Sequence, residues 1–284
     1  MATLKQIRRR IRGIQSTKQI TKAMEMVAAA KLKRAQDRVL ASRPYAARIQ
    51  GMLESLAGAA QDLSHPLFSE RPVRRQALIV IASDKGLCGS FNMNIFRTVE
   101  RDHLQDQSSI ALLPVGRRAC QYFGKRDWTI PWQLPEMGDQ ADAVKVRSLA
   151  QEAVRMFLAG EVDAVDLVYT QYISTMNRRV LVSGLLPIRA AASAATGSRK
   201  DYIFEPSPEA IFRTLLPRYV ENRVLQAMAE SLASEFSARM VSMGAATKNA
   251  EDVIGSLTLV MNRLRQAAIT REISEIVGGA DALK

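Results

Sequence analysis

Apolar residues at Leu4, Ile7, Ile11 and Ile14 recur at spacings of three, four and three, the period of a coiled-coil seam. The pattern then jumps to Ile20, resumes at Met24 and Val27, and continues after another break at Leu32, Ala35 and Val39. Read by apolarity alone, this predicts a seam that drifts rather than a strict heptad. The far end repeats the theme. Val253, Leu257, Val260, Leu264 and Ala267 are spaced four, three, four and three, and the seam then shifts to Ile269, Ile273 and Ile276. Gly244 and Gly255 each weaken this second helix by about 1 kcal/mol relative to Ala, a cost that close packing offsets. Gly278-Gly279 reads as its stop. From about Thr3 to Leu56 the only proline is Pro44, and from Pro217 to Val277 none follows the first. Uninterrupted helices there would be roughly 80 and 90 Å long. A compact domain of this size is only about 40 Å across. The two helices must therefore pair with each other, with other chains, or both. An antiparallel pairing is the simplest, with positions near Met24 roughly level with positions near Arg239.

Between the ends the period changes. Gln76 to Ala82 is a β-branched, apolar run, as expected of a buried parallel strand. A glycine-containing turn, Ser83 to Asn92, leads into a predicted helix from Met93 to Leu104. Further strands are predicted at Ser109 to Val115, more weakly at Trp128 to Leu134, and at Val165 to Ile173 and Arg179 to Pro187. Helices are predicted at Arg117 to Phe123 and at Gln140 to Ala159, the latter stopped by Gly160. A polar loop, Ala192 to Lys200, precedes Pro206 and Pro208. This alternation predicts an α/β fold, with a Rossmann-like sheet domain set between the two end helices. The expected segments are 1–60 (N-terminal helix), 74–205 (α/β domain) and 208–284 (C-terminal helix).

Charge sharpens the picture. Residues 1–50 carry thirteen Lys and Arg against Glu25 and Asp37, so +11 of the net +12 sits on the first helix. Arg8, Arg9, Arg12, Lys18 and Lys22 form its basic face. A nucleic-acid partner is disfavoured: no aromatic residue precedes Tyr45 to stack on a base, and no recognition motif is present. A solvated basic face or an acidic protein partner remains. No apolar run approaches the ~20 residues needed to cross a bilayer. The arginine-rich start has no apolar core of a secretory signal, and its helical period runs on past residue 40, which favours a mature bacterial start.

Candidate chemistry is sparse. DKGLCGSFN is neither a Walker loop nor a dinucleotide fingerprint, so it reads as a strand-to-helix turn rather than a phosphate cradle. Within it, Lys85 near Cys88 raises the alternative of a low-pKa thiol, but neither His65 nor His103 is placed beside it as a base. The two cysteines, Cys88 and Cys120, and two histidines show no metal-ligand spacing. Glu136, Asp139 and Asp142 read as a helix-start feature. No catalytic residue, metal or cofactor is expected. The residues leave open a basic coiled-coil adaptor or a nucleic-acid binder.

The stretch IRGIQSTKQITKAMEMVAAAKLKRAQDRVLASRPYA resembles the start of gamma subunits of bacterial F-type ATP synthases. ASEFSARMVSMGAATKNA and RQAAITREISEIVGGA resemble their end. SDKGLCGSFN resembles their glycine loop, with Lys85 where the family usually has Arg. DYIFEPSP resembles the segment before the long C-terminal helix, and the cysteine-bearing insertion of the chloroplast relatives is absent. The resemblance implies a non-catalytic central-stalk rotor, an antiparallel coiled coil turning inside a ring of alpha and beta subunits. It also implies an epsilon subunit, a membrane c-ring, and a peripheral place on the cytoplasmic side of the bacterial inner membrane. It places beta-subunit contacts at Met24, Arg239, Gln266 and Thr270. It places a foot on the rotor ring at Tyr202 and Glu205, and it sets the basic face opposite acidic beta loops.

Overall fold

The structure, a computed structural model, describes residues 3–59, 65–189 and 208–281. The two end helices are both present; the first runs on past Leu56 and the last begins before Pro217. Helix α1 spans Leu4–Ala59 and passes through Pro44; the last helix spans Pro208–Asp281. At 1.5 Å per residue these are about 84 and 111 Å. The last helix does not stop at Gly278-Gly279 but ends at Asp281. The expected loop Ala192 to Lys200, and Pro206, lie outside the described residues.

The middle of the chain forms β1 (Gln76–Ile81), α2 (Phe91–His103), β2 (Ile110–Val115), α3 (Arg117–Phe123), α4 (Ala143–Leu158), β3 (Ala164–Tyr172) and β4 (Arg178–Leu186). The final helix, Pro208–Asp281, is α5. The sheet has four strands in the order β2-β1-β3-β4. β1 runs parallel to β2 and to β3, and β4 closes an antiparallel hairpin on β3. Ala77 to Ile81 are fully buried, which is why β1 reads as an unbroken apolar run rather than an alternating one. The weak strand expected at Trp128 to Leu134 is reduced to two isolated bridges, Ala111 to Thr129 and Val115 to Leu134. Pro131 lies between them and has no N–H to give to a ladder. Helix α4 starts at Ala143, with Asp142 accepting from the Val144 N–H at 2.9 Å. Of the three acids expected at this helix start, only Asp142 caps it; Asp139 pairs with Lys31 at 2.7 Å and Glu136 with Arg117.

The chain divides into two compact units, and the division falls inside both long helices rather than at their ends. One unit is residues 29–239; the other joins 1–28 with 240–284. In the first, the 29–39 stretch of α1 and the 220–239 stretch of α5 pack with the sheet domain. Gln36 donates to the Tyr172 hydroxyl at 2.5 Å, and the Lys31 ammonium sits 5.7 Å from the Phe236 ring centre. From Ala227 to Arg239 every residue of α5 is buried. Three serines make this possible. Ser231, Ser234 and Ser237 donate to the carbonyls of Ile81, Thr170 and Thr175, so each buried hydroxyl is satisfied while its small size lets the helix approach closely.

In the second unit the two helices run antiparallel. Lys18 pairs with Glu251 at 2.7 Å, the Thr21 and Thr247 hydroxyls are 2.8 Å apart, and Gly244 faces Glu25. This register places Met24 level with Gly244 and Ala245, about one and a half helical turns from the expected level with Arg239.

The seams also differ from their apolar reading. The inward positions of α1 are Leu4, Ile7, Ile11, Ile14, Lys18, Thr21, Glu25, Ala28, Leu32, Ala35 and Val39, an unbroken alternation of three and four. The apparent breaks come from Lys18, Thr21 and Glu25, polar residues on the seam, whereas Ile20 (60% exposed) and Val27 (56%) point out. On α5 the inward set is Met243, Thr247, Ala250, Ile254, Leu257, Met261 and Leu264. Val253 and Val260, expected inside, are exposed.

Candidate functional sites

Two places collect the residues singled out from sequence. The first is the surface of the paired-helix unit. Arg8, Arg9 and Arg12 are exposed and enter no ion pair among the described residues. Lys18 and Lys22 are engaged, by Glu251 at 2.7 Å and Glu25 at 3.2 Å, so the free basic face is narrower than charge counting suggests. Met24 is half-buried. Gln266 and Thr270 stand on a stretch of α5, from Arg265 to Gly278, where every residue is exposed. The 3–4 register explains this: Leu4 pairs near the level of Arg265, and no part of α1 reaches beyond it. Ile269, Ile273, Ile276 and Val277 are 48%, 57%, 71% and 55% exposed there, an apolar surface of the kind that marks a contact with another chain. Tyr202 and Glu205 lie outside the described residues.

The second place is the turn after β1, within the sheet-bearing unit. Arg239, which the resemblance places at a beta-subunit contact, is 8% exposed. Its guanidinium meets the Glu235 carboxylate at 2.6 Å and donates to the carbonyls of Lys85 (3.1 Å) and Gly86 (3.2 Å). Burial pushes the Glu235 carboxyl up to about 6, against the pull of Arg239 in the other direction. Sequence reasoning missed Glu235; the signal was there as an acid four residues before Arg239, the spacing that places both on one helix face. Asp84 was also passed over. It accepts from the backbone N–H groups of Arg117 (3.1 Å), Met137 (3.1 Å) and Gly138 (2.7 Å), tying three loops together. The alternative of an activated thiol fails at Cys88, which is 2% exposed and whose pKa is raised, first by burial and then by Glu235. Among the described residues no group of three or more His, Cys, Asp or Glu is placed to hold a metal, and no helix is long and apolar enough to cross a membrane.

A pair of end helices that seal part of their own seam and leave an apolar end bare, carried on one chain with an α/β sheet, defines a coiled-coil assembly subunit. The chain belongs to the ATP synthase gamma-chain family. The family model described as ATP synthase matches residues 3–283. The gamma chain of Heliobacterium modesticaldum is 46% identical, and that of Desulfitobacterium hafniense 45%, each over the whole of both chains. Among solved structures, the central stalk and c-ring of the Tetrahymena thermophila mitochondrial ATP synthase aligns at a TM-score of 0.64 and 27% identity, covering 80% of this chain and 99% of that one. The Euglena gracilis mitochondrial ATP synthase aligns at 0.67, covering 99% and 94%; at 17% identity it supports the fold alone. A gamma chain is a structural rotor subunit and is not itself catalytic.

Proposed function

We propose that this chain is the torque-transmitting shaft of an F-type ATP synthase, turning inside a ring of alpha and beta subunits and bearing on an epsilon subunit and a membrane c-ring. The single observation that carries the reading is full-length kinship to gamma chains in a chain whose last helix leaves Arg265 to Gly278 bare. The physics follows from asymmetry. A shaft shifts the populations of open and closed partner conformations only by touching them unequally. A two-helix coil with basic side chains on one face and an apolar end meets each of several identical partners differently at any one angle. Arg8, Arg9 and Arg12 are long, exposed cations that form and break contacts with acidic loops without a dry lock.

In this reading Met24, Gln266 and Thr270 meet beta subunits directly. Arg239 takes part through the corner of loop and helix that it holds together. Tyr202 and Glu205 belong to the foot on the c-ring. The chain is peripheral to the bacterial inner membrane, on the cytoplasmic side. Co-expression with the alpha and beta subunits of the same organism, followed by size exclusion and an ATPase assay, tests the proposal. One copy of this chain in a large complex, with ATPase activity that depends on it, is the expected result. A chain that elutes alone, as a self-associated coil or with nucleic acid, sinks the proposal. At the level of one residue, Met24→Lys places a new cation beside acidic loops and should lower proton pumping per ATP hydrolysed; unchanged pumping moves the contact elsewhere.

A further inference from the structure

The turn after β1 is fastened at two levels. At its base, Asp84 holds three backbone N–H groups, and the Ser83 N–H donates to the Asn92 side-chain carbonyl at 3.0 Å. At its crown, Arg239 donates through Nε and Nη2 to Gly86 O and through Nη2 to Lys85 O, while the Ser83 hydroxyl donates to Lys85 O at 2.7 Å. Glu235 lies one turn earlier on α5 and keeps the buried guanidinium paired. Between these fastenings the tip projects. The Lys85 side chain is exposed, and Leu87 is 62% exposed with φ at +62°, a left-handed backbone that a leucine adopts only where its surroundings impose it. Gly86 keeps the tip thin. A Cβ there would lie 3.1 Å from Nη2 of Arg118, a second guanidinium resting over the turn.

Building on the shaft reading, we propose that Arg239, held in place by Glu235, is a positioning residue that locks the Lys85–Leu87 tip to α5. A load applied to the tip by a partner then enters the long helix instead of bending the turn. Arg239 does this through carbonyl oxygens, so it sets where the tip stands without choosing what side chains the tip carries. A turn fastened only at Asp84 and Ser83 would pivot about its base, and the load would be lost as local motion.

Cys88 supplies a readout that does not depend on any partner. Its thiol lies under the crown, 3.4 Å from the Asn92 amide nitrogen and 3.8 Å from Lys85 O, and is 2% exposed. Opening of the crown uncovers it. In the full chain with Cys120→Ser, Arg239→Gln should raise the rate of maleimide labelling at Cys88 by about tenfold or more, through a more populated local opening. Glu235→Gln should raise it less, because Arg239 keeps its carbonyl partners. Arg239→Lys should recover part of the protection, since one ammonium still reaches a carbonyl. If Arg239→Gln does not fold, as circular dichroism would show, Glu235→Gln and Arg239→Lys carry the comparison. Labelling rates within about twofold of the parent overturn the lock. The load-bearing half is read in membrane vesicles carrying the whole enzyme, where Arg239→Gln should lower proton pumping per ATP hydrolysed. Faster labelling with undiminished pumping per ATP overturns that half. A parent chain that never assembles with alpha and beta subunits sinks the shaft reading and this load-bearing role with it, while the labelling result still decides the lock.

Discussion

Helix α5 contains two opposite surfaces in one continuous element. From Ala227 to Arg239 it is buried on every side; from Arg265 to Gly278 it is exposed on every side. The two stretches do not differ much in how apolar they look. The buried one carries Glu230, Glu235 and Arg239 and three serines, and the exposed one carries Ile269, Ile273, Ile276 and Val277. What differs is side-chain size and hydrogen bonding. The buried stretch uses small hydroxyls whose donors reach strand carbonyls, and it pairs Glu235 with Arg239. The exposed stretch keeps large branched residues that nothing among the described residues covers. Burial within the chain supplies stability, and the bare apolar end supplies a surface for another chain.

The comparison breaks most visibly in the core. Phe123→Ala should destabilise the full chain by about 3–5 kcal/mol, because the ring is wholly buried among Phe96, Tyr122 and Trp128. Ile273→Ala, which removes three apolar carbons from an exposed side chain, should change urea unfolding by no more than about 0.5 kcal/mol. Equal effects would mean that the end of α5 is sealed by its own chain.

Next in size is Ser234→Leu, which forces a larger side chain into the close approach at Thr170 O and leaves that carbonyl without its donor. A cost of about 1–3 kcal/mol is expected in the same unfolding assay. The pH dependence sharpens the role of Glu235. Its folded pKa of about 6 lies above the ordinary value of 4.5, so between these values the folded chain holds a proton that the unfolded chain has lost. Its contribution to stability is therefore full below 4.5 and falls as the pH rises through about 6, by at most about 1.4 kcal/mol per pH unit. The difference in stability between the parent and Glu235→Gln should carry this slope; a flat difference would show that Glu235 stays ionised. The smallest effect is a gain. Gly255→Ala meets nothing within 4 Å and should stabilise the chain by up to about 1 kcal/mol through helix propensity.

The long helices, the positions of β1 to β4 along the chain and the α/β class were legible because apolar period and proline placement are local signals. The register of the paired helices was not. Lys18, Thr21 and Glu25 occupy seam positions, so an apolarity-based reading saw gaps where the spacing is continuous. Arg239 and Glu235 were equally hidden: a charged residue is rarely fully buried, and only the fold brings Lys85 and Gly86 to it across the sequence. The end of α5 was legible as apolar, but its exposure among the described residues depended on the register in which α1 pairs with it.

The central claim is that this chain rotates as a unit within a ring of partners. The most direct test attaches a bead to a cysteine at the exposed position of Lys125 (K125C) in a surface-held complex with alpha and beta subunits, and watches it under ATP. Stepwise rotation in one direction, stopping when ATP is removed, is the predicted result. A complex that hydrolyses ATP while the bead stays still would contradict the account.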